Sequence, residues 1–184
     1  MTGRIVAVLA LTLASFFWFP GHTILQSDTQ VYIPILEHLA DPSVLTNDIM
    51  AVRPHVAFTV YDEVALGLRR LTGLSIEQIL LAQQFLYRGV GIAGLMMLAT
   101  GVGLPLLPAV VVAAAVSLGA VVYGPSVLTV EYEPVPRGFA LAFVLLSLGL
   151  VARLQWRACA VAAAAGWCFH PPTAGAYGWR PMCR

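Results

Sequence analysis

Five polar residues in this chain could carry chemistry: Asp28, Glu131, Glu133, Arg137 and His170. Asp28 stands in Gln26-Ser27-Asp28-Thr29-Gln30. A carboxylate held against a membrane surface acts as a general base if its pKa rises towards neutrality. The same side chain could instead cap the helix that follows it. Glu131-Tyr132-Glu133-Pro134-Val135-Pro136-Arg137 is the most unusual short stretch. Its two prolines keep the segment extended, and Arg137 then opens a helix. A helix start favours an anion, and an arginine there could hold a phosphate. Alternatively, Arg137 pairs with Glu131 or Glu133. His170, in His170-Pro171-Pro172, is a structural residue or a fifth member of the site.

The elements that must position these residues are apolar. Hydrophobic residues make up 59% of the 184, charged residues 10%, and the mean hydropathy is +0.84. A soluble domain of this size needs more charge on its surface. The expected fold is an all-α membrane protein with about five transmembrane helices, near 5–20, 76–100, 104–123, 138–152 and 157–170. A spanning helix takes about 20 apolar residues. The first segment ends in Phe16-Phe17-Trp18-Phe19-Pro20, which suits a membrane interface. It reads as an uncleaved anchor, against the rival reading of a signal peptide. Gly101-Val102-Gly103 with Pro105 predicts a tight turn between two antiparallel helices. Arg88, midway along the second span, either snorkels outwards or serves the site.

Short-loop arginines set the orientation. Arg4 precedes the first span, and Arg153 and Arg157 flank the turn between the last two. A cytoplasmic N-terminus puts all three inside. The loop 21–75 and the segment 124–137 then lie outside, with all five candidate residues near the outer face. Within the loop, Val31, Ile35, Leu36 and Leu39 recur at helical spacing between Thr29 and Ala40. A second amphipathic segment runs from Val56 to Leu71, with Val60, Val64, Leu68 and Leu71 on one face and Gly73 closing it.

Other classes are disfavoured. The net charge of +1 and pI near 7.8 give no case for nucleic acid. The three cysteines make no disulfide framework and no metal spacing. No internal repeat suggests a transporter. No cofactor is evident, and a divalent metal is left open.

Ser27-Asp28-Thr29-Gln30 through Tyr32-Ile33-Pro34, then Asp41-Pro42, Asn47-Asp48, the stretch 131–137 and His170-Pro171 resemble uncharacterised bacterial members of the GT-C superfamily of polytopic glycosyltransferases. The resemblance runs from the first helix to about Thr173. It implies an inverting transfer from a polyprenyl-phosphate sugar at the outer face of the bacterial inner membrane. Asp28 matches the loop acid that serves as base or acceptor binder. Arg137 takes the place of a donor-phosphate contact by location, with Glu131, Glu133 and His170 as substrate-binding neighbours. Position 30 is Gln30, where many members carry a second acid. The tail 176–184 reads as a truncated or frame-shifted end, so the chain is expected to be the N-terminal part of a longer enzyme. The competing expectation is a noncatalytic membrane scaffold whose outer loop binds a partner.

Overall fold

The computed structural model describes residues 2–53, 59–118, 121–122 and 127–178. The elements are α1 (Thr2–Phe17), α2 (Thr29–Ala40), α3 (Ile49–Val52), α4 (Tyr61–Thr72), α5 (Ile76–Gly101), α6 (Leu106–Ser117), β1 (Val121–Val122), β2 (Val127–Leu128), α7 (Pro136–Val151), α8 (Trp156–Phe169) and α9 (Pro171–Gly178). The two short strands pair antiparallel.

The expectation of about five transmembrane helices is corrected. Among the described residues, one helix, α5, is long and apolar enough to cross a membrane. It has 26 residues, whereas α1 and α7 have 16, α8 has 14 and α6 has 12. At 1.5 Å per residue, 16 residues reach about 24 Å and 12 about 18 Å, short of the roughly 30 Å hydrocarbon layer. Local chemistry sets these ends. Pro136 occupies the first turn of α7, where its missing N–H costs nothing. His170 ends α8 before Pro171. The run 104–123 stops being helical at Ser117, and Val121-Val122 joins a strand pair instead.

α5 is the axis of the molecule. Ser75 accepts from the Gln78 N–H and the Gln78 side chain accepts from the Ser75 N–H, so a capping box starts the helix. α5 crosses α7 at very short range. A Cβ added at Gly94 would stand 2.5 Å from the Leu145 carbonyl, and one at Gly149 would stand 2.5 Å from the Gly94 oxygen. Only glycine permits backbones that close. α1 and α6 pack on α5, while α8 and α9 pack on α7.

α2 and α4 lie over the N-terminal part of α5. Ile33, Leu36, Tyr61, Ala65, Ile79 and Leu80 bury together with Phe139 and Phe169. α2 has the bounds that its periodicity predicts. α4 starts at Tyr61, and residues 56–58 of the predicted segment lie outside the described residues. Gly73 closes it with φ of 71°, the left-handed conformation. Val60, Val64 and Leu68 pack against the core, so that face of α4 is not free. The turn after α5 forms as expected, with Gly103 at φ of 96°. Residues 179–184 of the atypical tail lie outside the described residues.

Candidate functional site

Two segments far apart in sequence converge above the α5–α7 crossing: the residues before α2, and the extended stretch 129–135 that runs straight into the first turn of α7. Arg137 joins them. Its Nη1 lies 2.6 Å from Asp28 Oδ2, and its Nε donates to Glu131 Oε1 at 2.9 Å. The Arg137 and Asp28 side chains are 39% and 37% exposed, against 6% for Glu131. The pair therefore faces solvent from a buried support. Glu131 and Asp28 both favour the charged guanidinium, and they raise the Arg137 pKa although burial pulls the other way.

Glu133 has a different job. Its Oε1 accepts from the Gln26 and Ser27 N–H groups at 3.1 and 2.7 Å, and its Oε2 accepts from Thr29 N–H at 3.2 Å. The free amides at the start of α2 are thus met by a carboxylate more than a hundred residues away. Asp28 occupies the N-cap position but makes no side-chain cap. Its carboxylate turns to Arg137 instead. With Glu133 holding Gln26, Ser27 and Thr29, the Asp28 backbone is fixed on both sides.

Arg88 and Gln84 support this arrangement from below. One turn apart on α5, both donate to the Glu131 carbonyl, at 2.6 and 3.1 Å. Arg88 also donates to the Ser15 carbonyl at 2.7 Å, and its guanidinium lies 5.2 Å from the centre of the Phe16 ring. At 6% exposure it does not snorkel, contrary to the simpler sequence expectation. It ties the end of α1 to the stretch before α7. The reason is packing: α1 and the 129–135 stretch meet α5 at this level, and two carbonyls await donors. A narrow crevice of about 30 Å³, partly open, lies beside Arg88 and Glu131 and is also lined by Ile92, Leu95 and Leu145.

Tyr61 closes the other side, its hydroxyl donating to the Pro134 carbonyl at 2.7 Å. Burial raises the Tyr61 pKa strongly, so the hydroxyl stays protonated and remains a donor. The Tyr32 pKa also rises, through burial first and the Asp28 charge second, which puts this phenol within the field of the ion pair.

His170 lies at the edge of the site. Its Nδ1 contacts Thr173 Oγ1 at 2.7 Å and accepts from the Thr173 N–H at 3.3 Å. That acceptance requires a neutral ring with its proton on Nε2. Burial, then the Arg137 charge, lower its pKa, in agreement. His170 therefore starts α9. It is brought near Arg137, but one of its two nitrogens is already engaged.

The structure thus brings Asp28, Glu131 and Arg137 into contact and sets Glu133 and His170 beside them in supporting positions. Sequence reasoning missed Gln84, Tyr32 and Tyr61 as neighbours. The polar pair Gln84 and Arg88, one turn apart on α5, was the available signal for the first. No group of three or more His, Cys, Asp or Glu with metal-holding geometry occurs among the described residues. No protein family, curated protein or solved structure matches the chain.

Proposed function

We propose that the chain acts in sugar transfer from a polyprenyl-phosphate donor at the outer face of a bacterial cell membrane, with Asp28 as the general base. The observation that carries this reading is the partly exposed Asp28–Arg137 pair, fixed on a buried network built by the residues before α2, by Gln84 and Arg88 of α5, and by the 131–137 stretch. Asp28 takes the proton of an acceptor hydroxyl as that oxygen bonds to the anomeric carbon. The bond from that carbon to the phosphate oxygen breaks, and its electron pair leaves with the polyprenyl phosphate. Arg137 orients Asp28 and stands where a departing phosphate gains from a guanidinium. Glu131 holds Arg137, and Glu133 holds the Asp28 backbone. Neither is given a direct part in the chemistry.

The test is Asp28→Asn, assayed for transfer from a radiolabelled polyprenyl-phosphate sugar in membranes, with helix content followed by circular dichroism. The expected outcome is a loss of about 10²-fold or more, typical of removing a general base, with unchanged helix content. An undiminished rate in a folded Asp28→Asn protein overturns the proposal.

A noncatalytic scaffold is the second reading, and one observation favours it. The charge of Arg137 is already met by two carboxylates, a sufficient structural role. The Val60, Val64 and Leu68 side of α4 packs inwards and offers a partner no surface. On this reading Asp28→Asn leaves partner assembly intact.

A further inference from the structure

The end of the molecule opposite Asp28 carries arginine without acid. Five helix termini meet there. Gly3 of α1 lies against Leu106 of α6, whose Cδ2 would stand 3.3 Å from a Cβ at Gly3. Gly101, closing α5, lies against Ala152 after α7, at 2.7 Å on the same measure. The turn from Ala152 leads directly into α8. Arg4, Arg153 and Arg157 are the charged residues of these termini, and none of the nine Asp and Glu falls in residues 2–17, 97–118 or 145–169. Every acid belongs to residues 28–77 or 131–133, on the side of α2 and the ion pair.

Arg153 is engaged, donating to the Met97 carbonyl at 3.4 Å and to Thr100 Oγ1. Arg4 and Arg157 are exposed. Beside Arg157 the α7–α8 turn forms an open groove of about 490 Å³, lined by Leu154, Gln155, Trp156, Arg157 and Ala158. Leu154 sits at φ of 57°, a left-handed conformation rare for leucine, and is 72% exposed. Trp156 is 58% exposed, and Val102 and Leu107 are exposed at the same end. A tryptophan and an arginine beside exposed aliphatic side chains match the boundary of a bilayer, where the ring sits at headgroup level and the cation meets phosphate.

We infer that this end docks on anionic phospholipid, with the α7–α8 groove taking a headgroup between Arg157 and Trp156. Charge complementarity selects the occupant, because an acid-free patch with free arginines prefers an anionic leaflet to a neutral one. The inference shares the membrane placement of the proposed function but not its transfer chemistry. An inactive Asp28→Asn protein or an active one leaves it unaffected.

The experiment uses the whole chain with Trp18, Trp167 and Trp179 changed to Phe, so that Trp156 alone reports. The protein is placed in phosphatidylcholine vesicles containing one quarter phosphatidylglycerol, with bromine on one lipid or the other. Brominated phosphatidylglycerol is expected to quench Trp156 well beyond its mole fraction, with a preference of about five-fold per arginine. Arg157→Gln should bring quenching back towards the mole fraction, and Arg69→Gln at the acidic end should not. Quenching by the two lipids in strict proportion to their amounts overturns the inference. Absence of quenching by either overturns it as well.

Discussion

At the residue scale, the site depends most on a carboxylate that does not touch the exposed face. Glu133 satisfies three backbone N–H groups at the start of α2, and all three would lose their acceptor if it were removed. A buried donor without an acceptor costs about 1–3 kcal/mol. Glu133→Ala is therefore expected to destabilise the fold by about 3 kcal/mol or more, read as a lowered unfolding midpoint in detergent. Glu133→Gln, which keeps an oxygen but brings an N–H₂ group towards the donors, should fall between the two. A midpoint unchanged in Glu133→Ala would show that the segment before α2 is held by other means. Asp28 makes the opposite prediction, since its side chain is partly exposed and caps nothing. Asp28→Asn should cost little stability and, under the proposed function, nearly all transfer.

At the element scale, the crossing of α5 and α7 sets the depth of the site. Gly94 lies directly against the Leu145 backbone, so Gly94→Ala must push the two helices apart. Overpacking of this kind costs about 1–3 kcal/mol. It also moves Arg88 and Gln84 on α5 relative to the segment that enters α7. The expected outcome is a lower unfolding midpoint together with reduced activity, although Gly94 is remote from Asp28 in sequence. Gly67 on α4 is the control. A Cβ there meets nothing within 4 Å, and Gly67→Ala should stabilise by up to about 1 kcal/mol through helix propensity. If both substitutions raise the midpoint, the crossing is looser than its geometry requires.

At the scale of the whole molecule, the bundle buries several polar residues within an apolar core and leaves many large apolar side chains exposed. Thr12, Ser15, Gln84, Arg88 and Ser147 are buried, whereas Leu9, Leu13, Leu107, Val111 and Val161 are exposed. Under the proposed membrane placement, these exposed apolar side chains meet lipid. The acids gather at one end and the acid-free arginines at the other, which predicts that the two ends face opposite sides of the membrane. In a background with the three cysteines changed to Ser, a membrane-impermeant maleimide on intact cells should label Ser43→Cys and spare Gln155→Cys. Both positions are exposed in the fold. The reverse pattern would invert the orientation that Arg4, Arg153 and Arg157 imply. Equal labelling of both would remove the membrane from the account.

Much of this was legible in the chain itself. The periodicity of Val31, Ile35, Leu36 and Leu39 gave α2, Gly73 marked the end of α4, and Gly101 to Pro105 marked the turn after α5, because each depends on neighbours in sequence. The number of spanning helices was not legible. Hydropathy sums over a window, but a helix ends where a proline, a capping residue or a competing strand pair intervenes, and 104–123 lost its end that way. The partners of the polar residues were beyond sequence for a different reason. Asp28 adjoins α2 and could have capped it, but Gln30 and Val31 N–H bond to the Ser27 and Asp28 carbonyls, and Glu133 reaches the amides of Gln26, Ser27 and Thr29 from the far side of the fold. Which carboxylate takes which donor is decided by how α5 and α7 cross, and that depends on the absence of side chains at Gly94 and Gly149. The sequence by itself determined an apolar helical chain whose acids all fall in residues 28–77 and 131–133, with Arg4, Arg153 and Arg157 in stretches that hold none. Only the tertiary structure decided that Asp28 meets Arg137, because that contact needs two segments more than a hundred residues apart to be packed against one helix.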